Sequence, residues 1–497
     1  MPHTFKLKRI LNKQVLFLIF ILFSACKKEK PQREVALFNQ YCASCHLAPE
    51  INDLPKDVWK NGVLPKMADF MQIEEMYQDP NIVDSVFRPK IKLMDWVLLS
   101  EYIIANAPEE MNSIPKRVLQ RQGQFKEVAH TLESKEGAYT TFMDFDDSLK
   151  TILLGNTLGE VNTYNPNQKE TSNLFSGSSP VTWFSNKDTE HAISEVGILD
   201  PSERTKGIFS LLKGADTAFS IESLHRPVFH KILDLNKDGK QEVLISEFGN
   251  SAGKFSLFHQ NDSLEYKRRV LLNLPGVVKA EIKDFDADGF DDIIVMSTQA
   301  YEGLTIFYQR ENLKFEAVKV LEFSSVYGSS WFELVDFDGD GFDDIITVNG
   351  DNADYSYTHK PYHGLRIHLN DGSNQFEQRY FFPMYGATRV VADDFDNDGD
   401  IDFGIVSTFP DYENKPEQTF IYLKNLNSKQ FQFQPEILHN PNSARWFLMD
   451  TGDIDSDGDI DIILSSFTYS FTPVPPHITE LWDSSNTDLL ILENKLE

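Results

Sequence analysis

The sequence predicts a chain of several parts, a small all-α domain followed by an all-β seven-bladed propeller. Three observations carry this. A nine-residue acidic pattern, D-x-D-x-D-G-x-x-D with one variant, begins at Asp234, Asp284, Asp336, Asp394 and Asp453, at intervals of 50, 52, 58 and 59 residues. Each copy runs into a β-rich apolar stretch, such as Val243-Leu244-Ile245, Ile293-Ile294-Val295 or Ile462-Ile463-Leu464. Residues 33–108, in contrast, place apolar side chains at helical spacing around one short cysteine motif. Self-similarity at such a period, with four strands to the unit, is the mark of a propeller.

The chain opens on an export signal, residues 1–25. Lys6, Lys8, Arg9 and Lys13 make a positive start, Val15 to Phe23 is apolar, and Ser24 and Ala25 are small. The apolar run is too short to span a bilayer, which takes about 20 residues. Leu22-Phe23-Ser24-Ala25-Cys26 resembles a bacterial lipobox, with Phe23 departing from the usual aliphatic residue. The resemblance implies lipidation of Cys26, a tether over residues 26–33, and a protein held by its lipid in the cell envelope, periplasm-facing or surface-exposed. A net charge of −29 and a pI near 4.8 argue against nucleic acid as a partner.

Cys42-Ala43-Ser44-Cys45-His46 has the C-x-x-C-H spacing of covalent haem c attachment. Cys42 and Cys45 would form the two thioether bonds, and His46 would be an axial ligand of the iron. A zinc site would need a fourth Cys or His, and no further histidine follows until His130. With Cys26 lipidated, the chain's three cysteines are all assigned. Helices are expected around Val35–Tyr41, from Pro55 to Gln72, and from Ile91 to Ala107. The haem motif and the last of these helices resemble class I cytochromes c over about 75 residues, which gives a cytochrome c domain at 34–108. In that family the sixth ligand comes from the stretch before the last helix, so the resemblance implies Met67. Met71 and an open sixth position remain alternatives, Met76 lies nearby, and Met94 is expected in the core. Trp59 suits either a haem edge or the core. Residues 109–123 read as a polar linker, and 124–497 as the propeller.

The acidic loops carry explicit chemistry. Oxygens at positions 1, 3 and 5, a backbone carbonyl at 7 and an acid at 9 would form a hard oxygen shell, with glycine at 6 for the turn, and such a shell selects Ca²⁺. The ligands are Asp234, Asn236, Asp238 and Glu242; Asp284, Asp286, Asp288 and Asp292; Asp336, Asp338, Asp340 and Asp344; Asp394, Asp396, Asp398 and Asp402; Asp453, Asp455, Asp457 and Asp461. Up to five ions are expected. These repeats resemble the FG-GAP/VCBS family, which implies blades with the loop between their first two strands. Upstream, Asp144-Phe145-Asp146-Asp147 before "TILLGN" and the stretch "ISEVGILDPSERTKGIFSLL" read as two blades that have lost the metal loop. The last blade lacks a fourth strand, and "QFKEVAHTL" at 124–132 is expected to supply it and close the ring.

The long segments "NGDNADYSYTHKPYHGL", "TFPDYENKPEQT" and "SFTYSFTPVPPHITELWDSSNTD" should gather on the face opposite the metal loops, where Trp331, Arg389, Arg445 and Trp446 would join them. That face suits a carbohydrate or protein ligand. Asp354, Tyr355, His359, Tyr362 and His363 come nearest to a catalytic cluster; no nucleophile elbow, phosphate loop or nucleotide fingerprint is present. The expected function is an exported haem c electron-transfer lipoprotein, a carrier rather than a self-contained enzyme. It would meet a redox partner protein through the haem and a ligand through the propeller. The alternatives are an oxidoreductase or polysaccharide-active enzyme using the propeller face, and a surface adhesion module.

Overall fold

The computed structural model describes residues 33–44, 46–71, 73, 91–132, 139–187, 190–214, 216–249, 251–261, 265–299, 301–351, 358–469 and 472–496. The expected leader, Cys26, Cys45, Met76, Asp354 and Tyr355 lie outside these residues. The described residues fall into two compact units: 33–44, 68–71, 73 and 91–102 in one, 46–67 and 103–496 in the other. No helix among them is long and apolar enough to cross a membrane.

The helices form where apolar spacing puts them, at Arg33–Tyr41, Lys56–Met71 and Leu93–Asn106. The middle one passes through a π-turn at Trp59–Val63. Pro65 explains it. Proline has no N–H to donate back to residue 61, and widening the preceding turn accommodates the gap. Trp59 is buried, and its indole N–H donates to the Ile51 carbonyl at 2.9 Å. In the last helix Leu99 and Ile103 are fully buried, but Met94 is 72% exposed and so is no core residue. That helix is apolar on more than one side, so its spacing alone does not choose the buried face.

Residues 46–67, which the sequence assigns to the domain at 34–108, belong by contacts with the propeller. The Tyr362 hydroxyl donates to the Asp53 carbonyl at 2.7 Å. The Lys56 N–H reaches the Pro108 carbonyl at 2.7 Å, and the His46 ring meets Tyr301 edge-on at 6.4 Å.

Seven four-stranded antiparallel sheets follow. Their first strands are Thr140–Asp146, Val181–Lys187, Pro227–Leu233, Val277–Lys283, Ser329–Val335, Ala387–Asp393 and Trp446–Gly452. The two upstream blades without metal loops are present as expected. Every first strand carries a register shift after its opening residue. A bulge there raises the local twist, and seven repeats of it turn the strands around one axis. In blades three to seven the second strands, such as Asp292–Ser297 and Asp344–Asn349, are buried along their whole length. A strand covered on both faces has no polar side, which is why these stretches read as unbroken apolar runs.

The ring closes as the sequence predicts. Phe125–His130 pairs antiparallel with Leu489–Asn494, Phe125 opposite Asn494 and His130 opposite Leu489. The preceding stretch, expected as a free linker, is partly built in. Gln120–Arg121 adds a parallel fifth strand to blade six beside Glu436 and Ile437. Ile114 is buried and its N–H donates to the Tyr385 hydroxyl at 3.0 Å, while the Arg117 guanidinium lies 4.2 Å over Phe382.

Candidate functional site: the acidic loops

Each acidic loop turns through two residues of positive φ. Position 6 is glycine, with φ between +86° and +98° in Gly239, Gly289, Gly341, Gly399 and Gly458. A Cβ there would meet nothing within 4 Å, so glycine serves the backbone angle and not a space requirement. Position 4 is left-handed too, although it holds Lys237, Ala287, Gly339, Asn397 and Ser456. The loop's hydrogen bonds account for this strain. In four loops the position-1 aspartate accepts the N–H groups of positions 5 and 6 at 2.8–3.2 Å.

The acid at position 9 is the most buried member. Asp292 accepts from Phe285 N–H at 2.9 Å and Gln309 N–H at 2.7 Å; Asp344 does the same with Phe337 and Asn370, and Asp461 with Ile454 and Asn494. Asp402 takes the Asn425 N–H and the Tyr422 hydroxyl, both at 2.6 Å. Burial pushes Asp292 and Asp344 up to about 6, and Asp402, Asp461 and Glu242 up to about 7. Their backbone donors oppose the shift, and the neighbouring loop carboxylates add to it.

Three loops bring positions 1, 3 and 9 together, each set with ligand oxygens within 4.8 Å of one another: Asp284, Asp286 and Asp292; Asp336, Asp338 and Asp344; Asp453, Asp455 and Asp461. The blade-six loop instead gathers Asp394, Asp396 and Asp398. Asp288, Asp340, Asp457 and Asp402 stand outside these sets, and Asp234, Asn236, Asp238 and Glu242 are not among the groups of three acids. In all five loops the position-5 carboxylate accepts the N–H of position 7, at 2.9–3.2 Å, Asp398 included. The sets are all oxygen, with no thiolate or imidazole, and suit a hard divalent cation.

Residues 284–347 match the FG-GAP-like repeat. The matched stretch runs from the blade-four loop into the second strand of blade five, and so holds two of the three sets built from positions 1, 3 and 9. No curated protein matches the chain. Among solved structures, the chain is similar to the Neurospora crassa Pan2 WD40 domain, at 11% identity and a TM-score of 0.44, covering 76% of this chain and 99% of that one. It is also similar to the Myceliophteria thermophila Cps50 (Swd1) β-propeller domain, at 11% and 0.42, covering 68% and 96%. The propeller itself rests on the strand pairing above.

Two features of the acidic loops escaped the sequence reading. In blades four to seven an amide near the end of the third strand caps the position-8 carbonyl: Gln309 on Asp291, Asn370 on Asp343, Asn425 on Ile401 and Asn494 on Ile460, at 2.9–3.1 Å. Gln309 also reaches Leu235 of the blade-three loop, and Asn494 reaches Phe395 of the blade-six loop, so one amide ties neighbouring blades. The recurring endings "FYQ", "HLN", "LKN" and "LEN" were the available signal. The second feature is a set of resident cations. Arg310 pairs with Asp286 and lies 3.5 Å from Asp288, Lys424 pairs with Asp396, and Lys150 lies 3.2 Å from Asp453.

The haem candidates are described one by one. Cys42 is half-buried and in no disulfide, and burial pushes its thiol up to about 12. The His46 Nδ1 lies 3.0 Å from the Leu47 carbonyl, to which it donates, leaving Nε2 with its lone pair. Met67 is half-buried and Met71 buried.

On the face opposite the loops, Trp331 and Arg389 stack at 4.5 Å, both half-buried in first strands. Trp446 and Arg445 do not line that face in the open; both are buried, Trp446 within the blade-seven core. His363 is fully buried, and burial together with Lys360, Arg366 and His359 around it holds it neutral, while His359 of the expected cluster is half-buried.

Proposed function

We propose that this chain is an exported haem c electron-transfer protein, lipidated at Cys26, whose FG-GAP-like propeller recognises a partner or ligand. The observation that carries the redox half is the C-x-x-C-H motif together with His46, whose Nδ1 is occupied by a carbonyl while Nε2 is free to ligate. A histidine so held presents the correct nitrogen to a metal. Covalently bound haem would supply reversible one-electron uptake. Cys42 and Cys45 would hold it, His46 would bind its iron, and Met67 would be the sixth ligand.

The recognition half rests on the propeller, whose first and last strands close the ring of blades. Its acidic loops would hold Ca²⁺, with Asp284, Asp336, Asp394 and Asp453 as anchors.

The test is the optical spectrum of the purified full chain, oxidised and reduced, beside Met67→Ala. A c-type spectrum that survives acid-acetone extraction supports the reading, and Met67→Ala should convert a low-spin haem to one that binds carbon monoxide when reduced. Absence of covalent haem from protein matured with a haem-attachment system would refute the redox half. An unchanged Met67→Ala spectrum would refute the sixth ligand alone.

A further inference from the structure

Two cations share one indole on neighbouring first strands, and only one of them has a carboxylate. The first paired residue after the register shift is Lys279 in blade four, Trp331 in blade five and Arg389 in blade six. The Lys279 ammonium lies 4.6 Å from the centre of the Trp331 ring, and the Arg389 guanidinium 4.5 Å from a ring of the same indole. Phe447 of blade seven flanks the guanidinium at 5.9 Å.

Lys279 is satisfied. It donates to both Glu333 oxygens at 3.0 Å and to the Phe332 carbonyl at 2.9 Å, and it lies 3.2 Å from Glu281. Arg389 is not. Among the described residues its guanidinium makes one hydrogen bond, from Nη1 to the Thr388 carbonyl at 2.8 Å, and no carboxylate oxygen lies within 4 Å of it. Nε and Nη2 have no described acceptor. The side chain is half-buried, and neither nitrogen is closed off from solvent. Burial pushes the guanidinium down to about 10, with Asp351 and Glu333 opposing from beyond contact distance.

The register gives the reason. Two residues further along, opposite the third residue of the second strand, stand Asp144, Glu281, Glu333 and Asp450 in blades one, four, five and seven. Blade six has Val391 there. Lys279 draws on the acid of its own strand and on that of the next blade. Arg389 finds valine on its own strand. The next blade's Asp450 spends its two oxygens on the N–H groups of Phe145 and Thr451, at 2.7 and 2.9 Å.

The chain has 76 acidic and 47 basic residues, yet none of the described acids meets this guanidinium. A partly desolvated cation of this kind gains from a carboxylate supplied from outside the chain. Nε and Nη2 form one edge of the guanidinium plane, the geometry that takes both oxygens of a carboxylate at once. Trp331 and Phe447 beside it suit a ligand body with an apolar face. A net charge of −29 disfavours a polyanion, so the ligand carries a single acid. We propose that Arg389 binds the carboxylate of a small monoacid through Nε and Nη2, with the body of the ligand against Phe447.

The inference deepens the recognition half of the proposed function and rests on it. Its failure overturns the site at Arg389 alone, since haem content, read separately at the Soret band, tests the redox half. The experiment is calorimetric titration of the full chain with N-acetylphenylalanine and methyl glucuronide, each beside its neutral counterpart, N-acetylphenylalaninamide and methyl glucoside. At least one acid should bind, at least tenfold more tightly than its counterpart, and the acid that binds assigns the carboxylate to a peptide-like or a sugar-like source. Arg389→Gln should weaken that binding at least tenfold. Val391→Glu supplies the acid that the neighbouring blades carry and should weaken it as much, by pairing with Arg389 from within. Melts followed by circular dichroism establish that each variant is folded. Binding of neither acid, equal binding of an acid and its counterpart, or binding that either folded variant leaves intact overturns the proposal.

Discussion

Stripping divalent metal from the propeller should make it less stable as pH rises, and restoring calcium should reverse that slope. The position-9 acids set the sign. Asp292 and Asp344 stand at about 6, and Asp402, Asp461 and Glu242 at about 7, against ordinary values of 3.8 for aspartate and 4.5 for glutamate. A carboxyl raised on folding binds its proton more tightly in the native state. Metal-free stability therefore falls as pH climbs from about 4 to about 7, and levels off once these groups are ionised in both states. Calcium inverts the preference by rewarding the ionised form, so the bound protein gains stability over the same window. At a hundredfold excess over its dissociation constant, one ion adds about 2.7 kcal/mol. With an unfolding entropy near 2.1 cal/mol/K per residue, a propeller of this length gains about 3–4 °C for each occupied loop. Melts followed by circular dichroism in excess chelator and in excess calcium, across that pH range, test it. Curves that coincide at the alkaline end, or a chelated protein that loses stability on acidification through the window, would refute the reasoning.

Other outcomes follow from the same structure. Arg310→Met removes a resident cation from Asp286 and Asp288 and should raise terbium or calcium affinity at the blade-four loop by a few-fold at most, because an exposed pair of this kind is weak. Phe125→Ala opens a cavity beside Phe395 and Tyr422 in the closing strand and should lower unfolding free energy by about 3–5 kcal/mol in urea titration. Gly341→Ala forces a side chain into φ +93° with no clash to relieve, and should cost about 1–2 kcal/mol while leaving the other loops' metal affinity unchanged.

Much of the propeller was legible because its physics repeats. A loop that needs glycine at one φ and carboxylates around one point must recur in phase, and buried second strands must be apolar throughout. The degenerate blades could be read from the same phase, as could the closing strand. What escaped was single-residue pairing. That the Asp288 carboxylate accepts the Phe290 N–H is a hydrogen bond that no spacing shows. The left-handed φ of Lys237 and Ala287 contradicts their residue type and is imposed by the loop's closure. Gln309 and Asn494 are ordinary polar residues until the neighbouring blade's carbonyl comes within reach. Met94 could not be placed by periodicity, since its helix is apolar on several sides. Arg445 and Trp446 were read as surface because they precede a strand, whereas that strand begins inside the core.

The closing strand also dictates an order of events. Gln124 and Asn494, hydrogen-bonded at 2.7 Å, stand 370 residues apart in the chain. The ring therefore cannot shut until synthesis has reached its last strand. Until then the edge strand of blade seven and the waiting segment at 125–130 are both unpaired, the kind of exposed edges that invite pairing with another chain. Contacts this distant are slow to form. The interval before closure is thus the period of greatest exposure to misassembly, and metal bound early by blades three to six would shorten it by fixing the geometry to which the final pair must dock.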